Sequence, residues 1–205
     1  MKNKTAVVAG SIAVLLVVGV VIGVVLYNQL SKRSTYPVQG PAPAFTFQHV
    51  DGSEVTIENT NGKARLVYFY FSHCPTVCQP TNYLLSQVQE ELQKNGETGD
   101  RTGLFSITFD PERDTTERLK EYAGKYNADL NHWYFLRGEE SYSRDIALEY
   151  GIGIQELDGG EDFAHTNAIM LIDKDGNLRH YYLSKDLEPD NAANIAADML
   201  ALAKE

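Results

Sequence analysis

Six consecutive apolar and aromatic residues, Leu66-Val67-Tyr68-Phe69-Tyr70-Phe71, run directly into Ser72-His73-Cys74-Pro75-Thr76-Val77-Cys78. This junction constrains the fold more than any other part of the chain. An uninterrupted run of that kind suits a strand buried on both faces, as a central strand of an α/β sheet is. It does not suit a cofactor-binding box. Residues 80–94 then carry Leu84, Leu85, Val88 and Leu92 at helical spacing and stop at Asn95-Gly96, the punctuation of a helix end.

Cys74 and Cys78 are the only two cysteines, and they fall where the strand runs out and the helix begins. A disulfide between them closes too small a loop to constrain the unfolded chain much, so chemistry explains them better than stapling. Two thiolates here are soft ligands for copper(I) or zinc, and the pair can equally cycle between dithiol and disulfide. Helix N-terminal amides and the positive end of the dipole favour a thiolate at that position. A cysteine pair at the end of the first long strand, opening a helix, is the thioredoxin-like arrangement.

The remaining breakers give the element order. Phe45-Thr46-Phe47 and Val55-Thr56-Ile57 flank Asp51-Gly52, a hairpin signal. Strands are expected over 65–71, 104–109 and 133–136, and helices over 80–94, 115–126 (with Thr115 as N-cap) and 141–150. A second hairpin pairs 168–172 with 178–182 across Asp173-Lys174-Asp175-Gly176-Asn177. An amphipathic helix closes the chain over 188–203. The 173–177 turn lacks the third acid and terminal Glu of a calcium loop. Alternating strands and helices predict an α/β fold, a thioredoxin-like mixed sheet flanked by helices.

Ahead of this domain the chain is different. From Thr5 to Ser31 there is no charged residue, and an apolar stretch longer than about 18 residues can cross a bilayer as a helix. A cleaved signal peptide would be shorter, no small-x-small site precedes Lys32, and no lipoprotein cysteine follows the run. The expectation is an N-terminal transmembrane helix, residues 1–30, kept as a single-pass anchor. Residues 31–43, with Pro37, Pro41, Pro43 and Gly40, read as an extended tether, and 44–205 as the thioredoxin-like domain. The Lys/Arg bias across the span is slight. A bacterial cell membrane with the domain on the extracytoplasmic side is the expected location.

Charge narrows the partners. The chain carries a formal net charge of -10; without Lys2, Lys4, Lys32 and Arg33, the rest holds 14 basic against 28 acidic residues. This argues against nucleic acid and anionic lipid headgroups, and allows a basic protein partner.

Three segments in order carry a family resemblance. Cys74-Pro75-Thr76-Val77-Cys78 resembles the C-P-x-x-C motif of the Sco/SenC copper chaperones. Asp110-Pro111-Glu112-Arg113-Asp114-Thr115 looks like their D-P-x-x-D-T segment. His165, before an apolar strand and an Asp-Gly hairpin, falls where the family's histidine ligand lies. The resemblance spans roughly 43–205. Two departures are Gln79, where a second proline usually follows the second cysteine, and Ala164, where many members have Asp before the histidine. The resemblance implies a membrane-anchored copper metallochaperone with Cys74, Cys78 and His165 as metal ligands. It also implies service in assembling the copper A site of cytochrome c oxidase, with subunit II as partner.

On residues alone, His165 is open between a solvated loop histidine and a ligand carried by the acidic, Gly159-Gly160-containing loop 155–167, which looks mobile. The resemblance makes it the third ligand. Two sulfurs and one imidazole suit copper(I). His73 is expected at the rim of the site, and His49, His132 and His180 at surface or satisfied positions. Asp110 is open between a group hydrogen-bonding near the thiols and a simple turn cap, the latter shared with Asp114. The rival function is a thiol-disulfide oxidoreductase in which Cys74 and Cys78 are a redox pair without a metal. The absence of any proline between Pro111 and Pro189 weighs against it, because reductases of this type place a proline facing the cysteine pair. A thiol peroxidase is disfavoured, since no activating Arg and Thr set around one cysteine is evident.

Overall fold

The computed structural model describes residues 18–23, 36–97, 99–157, 159 and 162–205. The chain divides into two units, 1–35 and 36–205. Of the first, residues 18–23 are helical and exposed. Most of the expected membrane span lies outside the described residues, and among those described no helix is long and apolar enough to cross a membrane.

The second unit is built on an eight-stranded mixed sheet in the order β1-β10-β9-β4-β5-β6-β2-β3. Its parallel centre is β4 (Ala64–Tyr70), β5 (Thr102–Thr108) and β6 (Trp133–Arg137). Parallel neighbours need crossovers, which α1 (Cys78–Lys94) and α2 (Thr116–Lys125) supply. The hairpin β9 (Ala168–Ile172) and β10 (Asn177–Leu183) continues the sheet antiparallel beyond β4. The hairpin β2 (Thr46–His49) and β3 (Glu54–Thr56) extends it beyond β6. Helices α3 (Glu140–Glu149) and α4 (Ala192–Leu202) complete the domain.

Every residue of β4 is buried, as the apolar run requires. Its two faces meet different layers. Tyr70 stacks on Tyr122 of α2, which also receives a hydrogen bond from Asn82 of α1. On the other face, Phe69 packs against Tyr150 at the end of α3. Leu84, Leu85, Val88 and Leu92 form the buried stripe of α1, each worth roughly 2 kcal/mol of transfer free energy. The one charge inside β4, Arg65, donates through its terminal nitrogens to Ile57 O, Thr60 Oγ1, Asn61 Oδ1 and Asp173 O, while its buried Nε has no partner among the described residues. It ties the loop after β3 to the β9–β10 turn.

The turn chemistry behaves as read. Gly52 (φ 93) and Gly176 (φ 86) occupy the left-handed positions of the two hairpin turns. Asp173 Oδ1 accepts from the amides of Asp175 and Asn177, which makes 173–177 a turn closed on itself. Thr115 caps α2 by accepting from the Arg118 amide.

Three expectations change. Residues 36–43 do not hang free as tether. Gly40–Pro41 forms β1 on the sheet edge beside β10, Ala42 is buried, and Pro43 O accepts from Tyr150 Oη. Pro fits there because an edge strand leaves one side unpaired. The expected loop 155–167 contains a separate two-stranded hairpin, β7 (Ile154–Leu157) with β8 (Asp162–His165). The closing helix begins at Ala192, after two single-turn 3-10 segments at Ser184–Asp186 and Pro189–Asn191.

Candidate metal centre

The sheet register assembles the site. In the antiparallel β4–β9 pair, Tyr68 stands opposite Ile169. β9 starts three residues after His165, so the chain enters β9 past the end of β4, and the His165 ring lies against Cys78 there. In the parallel β4–β5 pair, Tyr70 stands opposite Thr108, which brings Asp110 to the same level. The cysteine turn and Asp110 therefore lie at one edge of the main sheet, and His165 is brought to that edge by the separate β7–β8 hairpin that precedes β9.

Cys74 and Cys78 are unbridged and buried, at 2% and 0% exposure. The turn between them lets the Cys78 amide donate to Cys74 Sγ at 3.4 Å. Because α1 starts at Cys78, the Cys74 sulfur serves as an acceptor at the open end of that helix. His165 Nε2 lies 3.4 Å from Cys78 Sγ, and its Nδ1 lies 3.1 Å from Thr166 O. A carbonyl only accepts, so Nδ1 carries the proton and Nε2 presents its lone pair to the sulfurs. The donor atoms of Cys74, Cys78 and His165 all lie within 4.8 Å of one another.

The two thiols are electrostatically unequal. The Cys74 pKa is pulled well below that of an ordinary thiol, chiefly by a hydrogen bond from Cys78, with further help from the amides of Thr76 and Cys78 against the cost of burial. The Cys78 pKa is pushed up by the same bond and by burial. The resting pair is thus a Cys74 thiolate beside a protonated Cys78. Tyr68, whose hydroxyl donates to Asn167 Oδ1 at 3.1 Å, packs beside Cys78, and its own pKa is raised, mainly by burial.

His73 stands at the rim, exposed, its Nδ1 3.7 Å from Asp114 Oδ1. Asp110 is buried, but its carboxylate is engaged by Arg113 Nε at 2.6 Å; burial raises its pKa against that ion pair. It groups with His73 and Asp114. The group that braces the cysteine segment is Asp114. It is fully buried, and its Oδ2 accepts from Ser72 N at 3.0 Å and Thr108 Oγ1 at 2.6 Å. Arg118 adds a bond to Ser72 Oγ at 3.0 Å. A helix-cap reading of Asp114 missed this role, and only the register, which sets Ser72 level with the end of β5, exposes it. His49 and His132 are buried rather than at the surface, each with one ring nitrogen bonded and the other, His49 Nε2 and His132 Nδ1, without a hydrogen-bond partner among the described residues. His49 Nδ1 accepts from Phe135 N, His132 Nε2 pairs with Thr102 Oγ1, and His180 stacks on Tyr36.

The fold and the site define a thioredoxin-like α/β domain with two sulfurs and one imidazole converging at the start of its first helix. A model of the SCO1/SenC family matches residues 34–201, and the chain belongs to that family. The SCO1 protein homolog of Bacillus subtilis is 31% identical over 148 residues, covering 71% of this chain and 75% of the relative. Among solved structures, BsSco, described as a member of the Sco family of cytochrome c oxidase assembly proteins with a disulfide switch, superposes with a TM-score of 0.71. It has 25% identity over 83% of this chain and 98% of its own. Bradyrhizobium japonicum ScoI with copper bound superposes with a TM-score of 0.66, at 26% identity over 78% of this chain and 99% of its own.

Proposed function

We infer that this protein is a copper(I) carrier of the cytochrome c oxidase assembly machinery, holding its cargo through Cys74, Cys78 and His165. The observation that carries this reading is the convergence of those three donors within 4.8 Å. A thiolate, a thiol with a basic neighbour and an imidazole lone pair form a donor set that favours copper(I) over hard cations. One similar structure solved with copper bound, and another described as a member of a family of cytochrome c oxidase assembly proteins, support it.

Delivery proceeds by ligand exchange. An incoming thiolate of the target takes a coordination position as one of the three ligands leaves. His165 is the natural first to go, because it is neutral and sits on a separate hairpin, while both sulfurs are held in the turn before α1. The copper A site in subunit II of cytochrome c oxidase is the proposed destination. The uncharged run 5–31 acts as a single-span anchor that holds the domain outside the cytoplasm of a bacterial cell.

Reduced domain should bind one copper(I) tightly and the disulfide form far more weakly, because oxidation removes both sulfur ligands together. Equal affinity of the two forms under a competing chelator refutes the site. A strain lacking the protein should lose oxidase activity and regain much of it with added copper. Rescue by a thiol reductant alone, with copper without effect, favours the oxidoreductase reading instead.

A further inference from the structure

His165 reaches the sulfurs from β8, a strand outside the main sheet that among the described residues pairs with β7 alone. Such a two-stranded hairpin is marginal by itself and needs a packing partner. The partner is supplied through Phe163, two residues earlier and therefore on the same face of β8 as His165. Phe163 is 7% exposed. Its ring meets Phe71 and Phe109 edge-on, with centroids 5.2 and 5.5 Å away at 81° and 85°. The His165 ring rests on the same two aromatics at 6.1 and 5.3 Å. Phe71 precedes the cysteine turn and Phe109 precedes Asp110, so this floor belongs to the main sheet.

Two cations hold Phe163 down. The Arg113 guanidinium lies over its ring at 5.4 Å and the Arg144 guanidinium at 5.0 Å, both within the range of a favourable cation–π contact. Each cation is itself anchored to the body of the domain. Arg113 is ion-paired with Asp110 and also lies over Phe71 at 5.9 Å. Arg144 pairs with Glu140 within α3 and reaches Glu156 on β7. One arginine lies in the segment between β5 and α2 and the other on α3, and both lie over the Phe163 ring.

We propose that Phe163, gripped by Arg113 and Arg144, is a positioning residue that sets how firmly His165 is presented to the Cys74–Cys78 pair. This rests on His165 being the third ligand, and it adds that the strength of the third bond is set by the grip on the hairpin. The dynamics of the hairpin then govern how readily the imidazole leaves during ligand exchange.

The test uses the full-length protein with three substitutions at the grip and His165→Ala as the reference. Phe163→Leu keeps an apolar side chain but removes the ring. Arg144→Gln removes one cation while leaving the aromatic packing intact. Phe163→Tyr retains the ring. In metal-free protein, the NMR signals of the His165 ring should move toward solvent-exposed values, and the β8 amides should exchange faster, in Phe163→Leu and Arg144→Gln. Phe163→Tyr should restore both. Copper(I) affinity should fall about tenfold in Phe163→Leu, the scale expected of a group that orients a metal ligand, and should approach that of His165→Ala. Unchanged His165 ring signals and β8 exchange in both Phe163→Leu and Arg144→Gln overturn the proposal, whatever the metal does. If His165→Ala leaves copper affinity unchanged, the ligand assignment fails; the ring signals and amide exchange still decide whether Phe163 positions the histidine.

Discussion

His165 Nε2 and Cys78 Sγ lie 3.4 Å apart although 87 residues separate them in the chain. β9 runs antiparallel to β4 and begins three residues after His165, so the β8 end of the separate hairpin is held near the end of β4, where the cysteine turn begins. The contact sets the Nε2 lone pair of His165 against Cys78 Sγ, the position from which the proposed third ligand would bind copper(I).

That contact fixes the protons displaced on metal binding. With the Cys74 pKa held well below that of an ordinary thiol and that of Cys78 pushed up, copper(I) should release about one proton per ion. Apparent affinity should then rise about tenfold per pH unit near neutrality, since the ligand that must deprotonate is a single thiol. Calorimetry in buffers of different ionisation enthalpy measures the count. Two protons released, with a hundredfold slope, would show that Cys74 is an ordinary thiol.

Replacing His165 by Ala should weaken copper(I) binding while the unfolding free energy stays within about 0.5 kcal/mol of the parent. The side chain is only partly buried and belongs to a hairpin outside the main sheet. Chelator competition and denaturant unfolding on the same sample separate the two effects.

Asp114 offers the converse. Asp114→Ala leaves the buried Ser72 amide without an acceptor and should cost about 1–3 kcal/mol. Asp114→Asn keeps an oxygen for that amide and should recover much of the loss. Equal destabilisation in the two variants would show that the carboxylate charge, and not the bond to Ser72, does the bracing.

A fragment beginning at Tyr36 should be more stable than one beginning at Phe45. The longer fragment keeps the Gln39 and Ala42 amide bonds to the β10 hairpin, the stack of Tyr36 on His180 and the Tyr150–Pro43 hydrogen bond. Thermal unfolding of the two fragments under one buffer condition measures the difference; identical midpoints would return 36–43 to a passive tether.

Local signals made much of this legible in the sequence. The unbroken run before Cys74 marked the central strand, Thr115 marked a helix start, and Asp51-Gly52 and Asp175-Gly176 marked the hairpin turns, because each depends on neighbours a few residues away. The three ligand candidates were legible through motif and resemblance. What depended on distant pairing was not. Asp114 reads as a cap until Ser72 is level with it, Phe163 is one aromatic among many until Arg113 and Arg144 meet over it, and Gly40–Pro41 shows no strand pattern because its partner β10 supplies the order. The β7–β8 hairpin escaped because Glu156 and Asp162, alternating with few apolar residues, look like solvated loop.

The central claim is that Cys74, Cys78 and His165 together hold one copper(I). Copper X-ray absorption on the reduced domain loaded with one equivalent tests it most directly. The account predicts a three-coordinate shell of two sulfurs and one nitrogen, with the nitrogen lost in His165→Ala. A shell of two sulfurs alone in the parent protein, or a nitrogen that survives His165→Ala, would contradict it.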